Sequence, residues 1–152
     1  MNISTIYIGS DHRGFELKQH IISFLRSQGK DVIDCGNSVY DQTDDYPDYA
    51  TAVAQQVANN TKSLGIVICG TGVGVSIVAN KVPGIRSAVL NSLDTVKVAR
   101  NHNHLNVLAL SAENDPADLL DIVVAFIETE PSYEERHIRR ISKITAMENN
   151  SL

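Results

Sequence analysis

Short apolar runs alternate with stretches in which apolar residues recur every three or four positions along nearly all of this 152-residue chain. The apolar runs fall at residues 5–10, 31–35, 64–69, 86–90 and 106–110. They are rich in Ile and Val and short enough for parallel strands buried on both faces. A first helix is predicted over residues 14–28, with Gly29 behind it as a natural C-cap. A second starts near Pro47, with Asp44 or Asp45 before it as cap, and its Tyr49, Ala50, Val53, Ala54 and Val57 follow the i, i+3, i+4 spacing. Further helices are predicted over residues 75–80 and 93–101, and from Pro116 behind Asp115, where Leu119, Leu120, Val123, Val124 and Ile127 form the apolar face. Pro131 separates these from a last helix, residues 133–148, with a stripe of Ile138, Ile141, Ile144 and Met147.

Five β-α units joined by right-handed crossovers predict one α/β domain over residues 1–152. The expected architecture is a Rossmann-like three-layer α/β/α sandwich with a five-stranded parallel sheet, order 2-1-3-4-5, plus a C-terminal helix. In that order the loops after the first and third strands flank the topological switch point, where ligands bind. Ser10-Asp11-His12-Arg13-Gly14 then lies beside residues 69–74. The last helix is surplus to such a domain, and its stripe packs either on its own domain or on a second subunit.

Composition narrows the function classes. The formal charge is −5, which argues against a nucleic-acid or membrane-surface binder, since both need a basic face. Cys35 and Cys69 make no disulfide framework and favour a reducing cytosol. Asp11, His12 and Arg13 interrupt any signal-like apolar stretch, and no run reaches the ~18 apolar residues of a membrane span. A cytoplasmic protein is therefore expected.

Chemistry concentrates in Cys69-Gly70-Thr71-Gly72-Val73-Gly74. Alternating glycines let the chain turn tightly and leave backbone N–H groups unshielded, and a glycine loop that opens a helix is an anion cradle. A thiol at its first position is placed to act as base or nucleophile, although a buried, inert thiol at a strand end is the bland alternative. The loop is not a Walker A, because no Gly-Lys-Ser/Thr closes it. It is also a poor dinucleotide fingerprint, because the next strand ends at Leu90-Asn91 without a ribose-binding acid.

Four further groups stand out, each with two readings. Asp11-His12 is either a helix N-cap followed by a surface histidine, or a carboxylate and an imidazole on a sugar and its phosphate. His102-Asn103-His104 reads as a polar loop between the fourth helix and the fifth strand, at the sheet end opposite the crevice. It either has no chemical role or delivers an acid/base to a neighbouring subunit. No third ligand makes a metal site there. Arg136 and Arg140 share a helix face beside His137, as a solvated face or a phosphate clamp. The aspartates at positions 41, 44, 45 and 48 read as a solvated, helix-capping loop without calcium-loop spacing.

In order, Ser10-Asp11-His12-Arg13-Gly14, Asp45-Tyr46-Pro47, the 69–74 loop, Ala79-Asn80-Lys81 with Gly84-Ile85-Arg86, Arg100-Asn101-His102-Asn103 and Glu135-Arg136-His137 with Arg140 span nearly the whole chain. This resembles the type B ribose-5-phosphate isomerases, whose relatives include galactose-6-phosphate and allose-6-phosphate isomerases. The resemblance implies a metal-independent aldose–ketose isomerase without a cofactor, acting on a sugar phosphate. It implies that Cys69 moves a proton between C1 and C2 through an enediolate, assisted by Thr71. The N–H groups of Gly70, Thr71, Gly72, Val73 and Gly74 would stabilise the oxyanion. His102 would open the ring, Asp11 and Asn103 would hold hydroxyls, and His12, Arg136 and Arg140 would bind phosphate. It further implies a homodimer or tetramer with shared active sites. One departure stands out: a phosphate-contacting arginine usual just after the fifth strand is Glu113 here, which points to weaker phosphate binding. A hexose 6-phosphate isomerase and a non-catalytic sugar-phosphate-binding module are the competing readings.

Overall fold

The computed structural model describes residues 3–148. Five strands, β1 (Thr5–Ser10), β2 (Val32–Asp34), β3 (Ser63–Cys69), β4 (Ser87–Val89) and β5 (Val107–Ser111), form one parallel sheet. The helices are α1 (Phe15–Ser27), α2 (Tyr46–Asn59), α3 (Val73–Ala79), α4 (Leu93–Asn103), α5 (Pro116–Glu128) and α6 (Glu135–Glu148). Alternation along the strands builds the two interfaces. Ile6 and Ile8, Leu64, Ile66 and Ile68, and Leu108 and Leu110 pack with α1, α4 and α5. Tyr7, Val67 and Cys69, and Val107 and Ala109, pack with α2 and α3.

Local signals behave as their chemistry requires. Gly29 is left-handed at φ +74°, and the Lys30 N–H returns to Leu25 O at 3.0 Å, closing α1. The Asp115 carboxylate accepts from Ala117 N at 2.9 Å, capping α5 ahead of Pro116. Asp45 is the N-cap position of α2, but its side chain makes no capping bond.

The strand order is 2-1-3-5-4, not 2-1-3-4-5. Exposure is the reason. β5 is buried at every position, whereas no residue of β4 is buried and Val89 is 37% exposed. The strand buried on both sides takes the inner place, and the short half-exposed one becomes the edge. A second correction concerns residues 102 and 103, expected in a loop. They form the last turn of α4, which ends at His104 in the left-handed conformation, φ 50°. The side-chain pattern of α4 fades before this point, so periodicity alone stops the helix too early.

Candidate active site

Asp11 begins a single 3-10 turn, His12–Gly14, that follows β1. Its Oδ1 accepts from Arg13 N at 3.0 Å and Gly14 N at 3.2 Å, and the residue is buried. The capping role is thus realised, and it fixes the backbone that carries His12 and Arg13. Gly14 is required here, because a Cβ would come within 2.7 Å of Ile68 Cγ2.

β1 pairs directly with β3, Ser10 facing Ile68. Asp11 and Cys69 therefore leave adjacent strand ends on the same edge of the sheet. Cys69 is buried, and its Sγ accepts the Gly72 N–H at 3.2 Å. Gly72 is left-handed, φ +78°, and this bend turns the N–H back onto the sulfur before α3 starts. Thr71 is exposed, and its Oγ1 accepts from Val73 N at 3.3 Å.

The corrected strand order adds a third wall. Cys69 faces Ser111 across the β3–β5 pair, and the Ser111 hydroxyl donates to Gly70 O at 2.7 Å. Glu113 follows, and its carboxylate accepts from Arg13 Nη2 at 2.9 Å. The Arg13 guanidinium lies across Gly70, where a Cβ would meet its Cζ at 2.7 Å. The anion at position 113 is thus matched by a cation from the loop after β1, 100 residues away in sequence.

On the other side His12 meets Asp44, with Nδ1 at 2.7 Å from Oδ1 and the backbone N–H donating to the same oxygen at 2.9 Å. Sequence reasoning placed Asp44 in a solvated acidic run, yet its side chain is only 3% exposed. Lys18 was also missed. It is fully buried on α1, and its ammonium donates to both Asp34 oxygens (2.7 and 2.9 Å) and to Asn37 O, pinning the loop after β2. A lysine at a core-facing position of α1 is the signal that was available.

His102, Asn103, Arg136 and Arg140 do not join this group. α4 runs back against the strands, so His102 and Asn103 lie at the opposite edge of the sheet. There His102 stacks on His137 of α6, with centroids 4.3 Å apart and planes 13° apart. His137 is buried, and its ionisation is shifted down by burial first and then by His102 and Arg136. Arg136 and Arg140 are exposed on α6, the first paired with Glu134 at 2.9 Å. The predicted residues thus form two clusters at opposite edges.

Among the described residues no three His, Cys, Asp or Glu side chains are grouped to hold a metal, and no helix is long and apolar enough to cross a membrane. Cys35, half-buried beside Asp34, is a different thiol from Cys69. Burial and then the Asp34 carboxylate push its pKa up to about 11.

The ribose/galactose isomerase profile matches residues 6–144, which covers both clusters. The chain belongs to the ribose/galactose isomerase family. It is 44% identical over 144 residues to ribose-5-phosphate isomerase B of Mycolicibacterium paratuberculosis, covering 94% of this chain and 91% of that one. It is 46% identical over 145 residues to the probable ribose-5-phosphate isomerase B of Mycoplasma pneumoniae, covering 94% of each. Among solved structures, ribose-5-phosphate isomerase B of Mycoplasma genitalium with bound ribulose-5-phosphate superposes with a TM-score of 0.91 at 43% identity, covering 95% of this chain and 96% of that one. The Clostridium thermocellum enzyme gives 0.91 at 42%, covering 97% and 99%. This family member therefore carries its glycine loop and its histidine-arginine cluster on a fold shared over nearly its whole length.

Proposed function

We propose that this protein interconverts ribose 5-phosphate and ribulose 5-phosphate through an enediolate, without a metal or cofactor. The observation that carries it is Cys69, a buried thiol whose Sγ accepts the Gly72 N–H within a glycine loop, beside Asp11 and His12, in a member of this family. The Cys69 thiolate takes the proton from C2 of the open-chain aldose. The electrons move onto the carbonyl oxygen at C1, giving the enediolate. The thiol then returns the proton to C1, while the hydroxyl at C2 loses its proton to become the ketone. Thr71, exposed beside the sulfur, passes protons between the two oxygens. Backbone N–H groups of Gly70, Thr71 and Gly74 stabilise the developing charge, since the Gly72 N–H is held by Cys69 Sγ and the Val73 N–H by Thr71 Oγ1. Asp11 and Asn103 hold hydroxyls, and His12, Arg136 and Arg140 hold the phosphate.

Ring opening by His102 requires a second copy of the chain, because His102 lies at the far edge of its own sheet. A homodimer that sets one subunit's His102 and α6 against the other's glycine loop completes the site. The exposed Ile138, Ile144 and Met147 support such an assembly. So does the concavity of about 480 Å³ lined by Ile85, Ala88, Leu105, Ile144 and Met147. The setting is cytoplasmic, in keeping with two unpaired cysteines.

Glu113 favours a second reading, a hexose 6-phosphate substrate. Its pairing with Arg13 weighs against that, since the ion pair offsets the negative charge that distinguishes this loop. The experiment is turnover of ribose 5-phosphate by purified protein in excess EDTA, beside galactose 6-phosphate and allose 6-phosphate. Rapid conversion of ribose 5-phosphate supports the proposal. A higher kcat/KM on a hexose phosphate replaces the substrate, and binding without turnover replaces the enzyme.

A further inference from the structure

We propose that Asp44 is a positioning residue for His12, holding the imidazole so that Nε2 is presented to the substrate's phosphate. The inference rests on the isomerase reading only for the identity of that anion. Four aspartates crowd the segment between β2 and α2 and its first turn, and the structure separates them. Asp41 caps its own loop, its carboxylate accepting from Thr43 N at 2.9 Å and Thr43 Oγ1 at 2.7 Å. Asp45 and Asp48 are exposed at the start of α2. Asp44 alone turns inward, to 3% side-chain exposure.

A carboxylate so buried is costly unless donors compensate it. Its compensation comes almost wholly from the crevice wall. His12 supplies its backbone N–H and ring Nδ1 to Oδ1, and Asn37 Nδ2 donates to Oδ2 at 3.4 Å. An ionised carboxylate only accepts, so the ring must present Nδ1–H to it, and the proton-bearing nitrogen is fixed. Tyr40 stands edge-on to the ring with centroids 6.4 Å apart, limiting its rotation. The His12 side chain keeps 26% exposure. With Nδ1 held by Asp44, Nε2 is the ring nitrogen that remains to meet a ligand. A phosphate oxygen at Nε2 accepts from that nitrogen when it carries a proton, while Asp44 holds Nδ1–H on the opposite edge of the ring.

The test combines steady-state kinetics with long-range 1H–15N NMR of the histidines in the wild type, Asp44→Ala, the isosteric Asp44→Asn, His12→Ala and the His12→Ala/Asp44→Ala double variant. NMR is expected to show His12 protonated at Nδ1 in the wild type, with that preference lost in Asp44→Ala. KM for ribose 5-phosphate is expected to rise roughly ten- to a hundredfold in Asp44→Ala, the range for losing a charge-assisted hydrogen bond, with kcat changed less than about twofold. Asp44→Asn keeps an acceptor oxygen and lies between the two, which guards against a folding failure of the alanine variant. In the His12→Ala background Asp44→Ala is expected to add nothing. A wild-type His12 lacking the Nδ1 proton, or an equal KM rise in the His12→Ala background, overturns the proposal. The NMR arm needs no turnover, so an inactive wild type would refute the isomerase reading while leaving the test of Asp44 intact.

Discussion

Replacing Cys69 tests the chemistry most directly, because the structure separates its structural role from its proposed catalytic one. The side chain is buried in the α2–α3 face of the core and accepts the Gly72 N–H at 3.2 Å. Cys69→Ala removes that acceptor and leaves a donor unpaired, at a cost of about 1–3 kcal/mol. Cys69→Ser keeps an acceptor of similar size and is expected to cost less. Catalysis responds differently. Both variants lose the group that moves the proton, and a hydroxyl is far too weak an acid to replace a thiol as base. Loss of a positioned general base costs about 10²–10⁴ in kcat, or roughly 3–5 kcal/mol of transition-state stabilisation. The assay is the initial rate of ribulose 5-phosphate formation at saturating ribose 5-phosphate, beside urea denaturation of each variant. The expected outcome is that both variants lose at least about a hundredfold in kcat while the serine variant stays folded. Retention of more than about a tenth of wild-type kcat by either variant would refute the reasoning, since a catalysed proton transfer cannot survive loss of its base.

Mixing Cys69→Ala and His102→Ala subunits through denaturation and refolding is expected to restore roughly a quarter of wild-type activity, since half the dimers are mixed and each holds one intact site. Continued inactivity refutes a shared site. Gly65→Ala pushes a methyl against Val53 Cγ1 at 2.8 Å and against Val57 and Val107 Cγ2 at 3.0 Å, all buried. It is expected to lower stability by about 1–3 kcal/mol and Tm by roughly 5 °C, and an unchanged melt contradicts that. Cys35, with its pKa raised from 9.0 to about 11, is expected to react with iodoacetamide at pH 8 about a hundredfold more slowly than an unperturbed thiol, read by mass spectrometry in the Cys69→Ser background. The ionisation of His137 is shifted down from 6.5 in the folded chain. The unfolded chain therefore binds the proton first, and stability is full above pH 6.5 and falls as pH drops below it. Melts from pH 7.5 to 5 are expected to fall less steeply in His137→Phe, and parallel curves refute this.

The sequence by itself determined what local chemistry controls. The dense apolar runs of β3 and β5, the left-handed Gly29 after α1, the Asp115 cap before Pro116 and the bend at Gly72 each follow from a few neighbouring residues. The meeting of residues 10–14 with the glycine loop was also legible, because a β-α-β pattern fixes which loops share a sheet edge. Tertiary structure decided what depends on partners distant in the chain. β4 yields the inner place to β5 because a more apolar strand, buried at every position, competes for it, and that exchange brings Ser111 to Gly70 and Glu113 to Arg13. His102 stacks on His137 from a separate helix. Asp44 and its three neighbouring aspartates look alike in sequence, and only one is buried against an imidazole 32 residues away. Burial of a charge is a property of its surroundings and not of its spacing along the chain. A run of four identical side chains therefore carries no mark of the one that the fold turns inward.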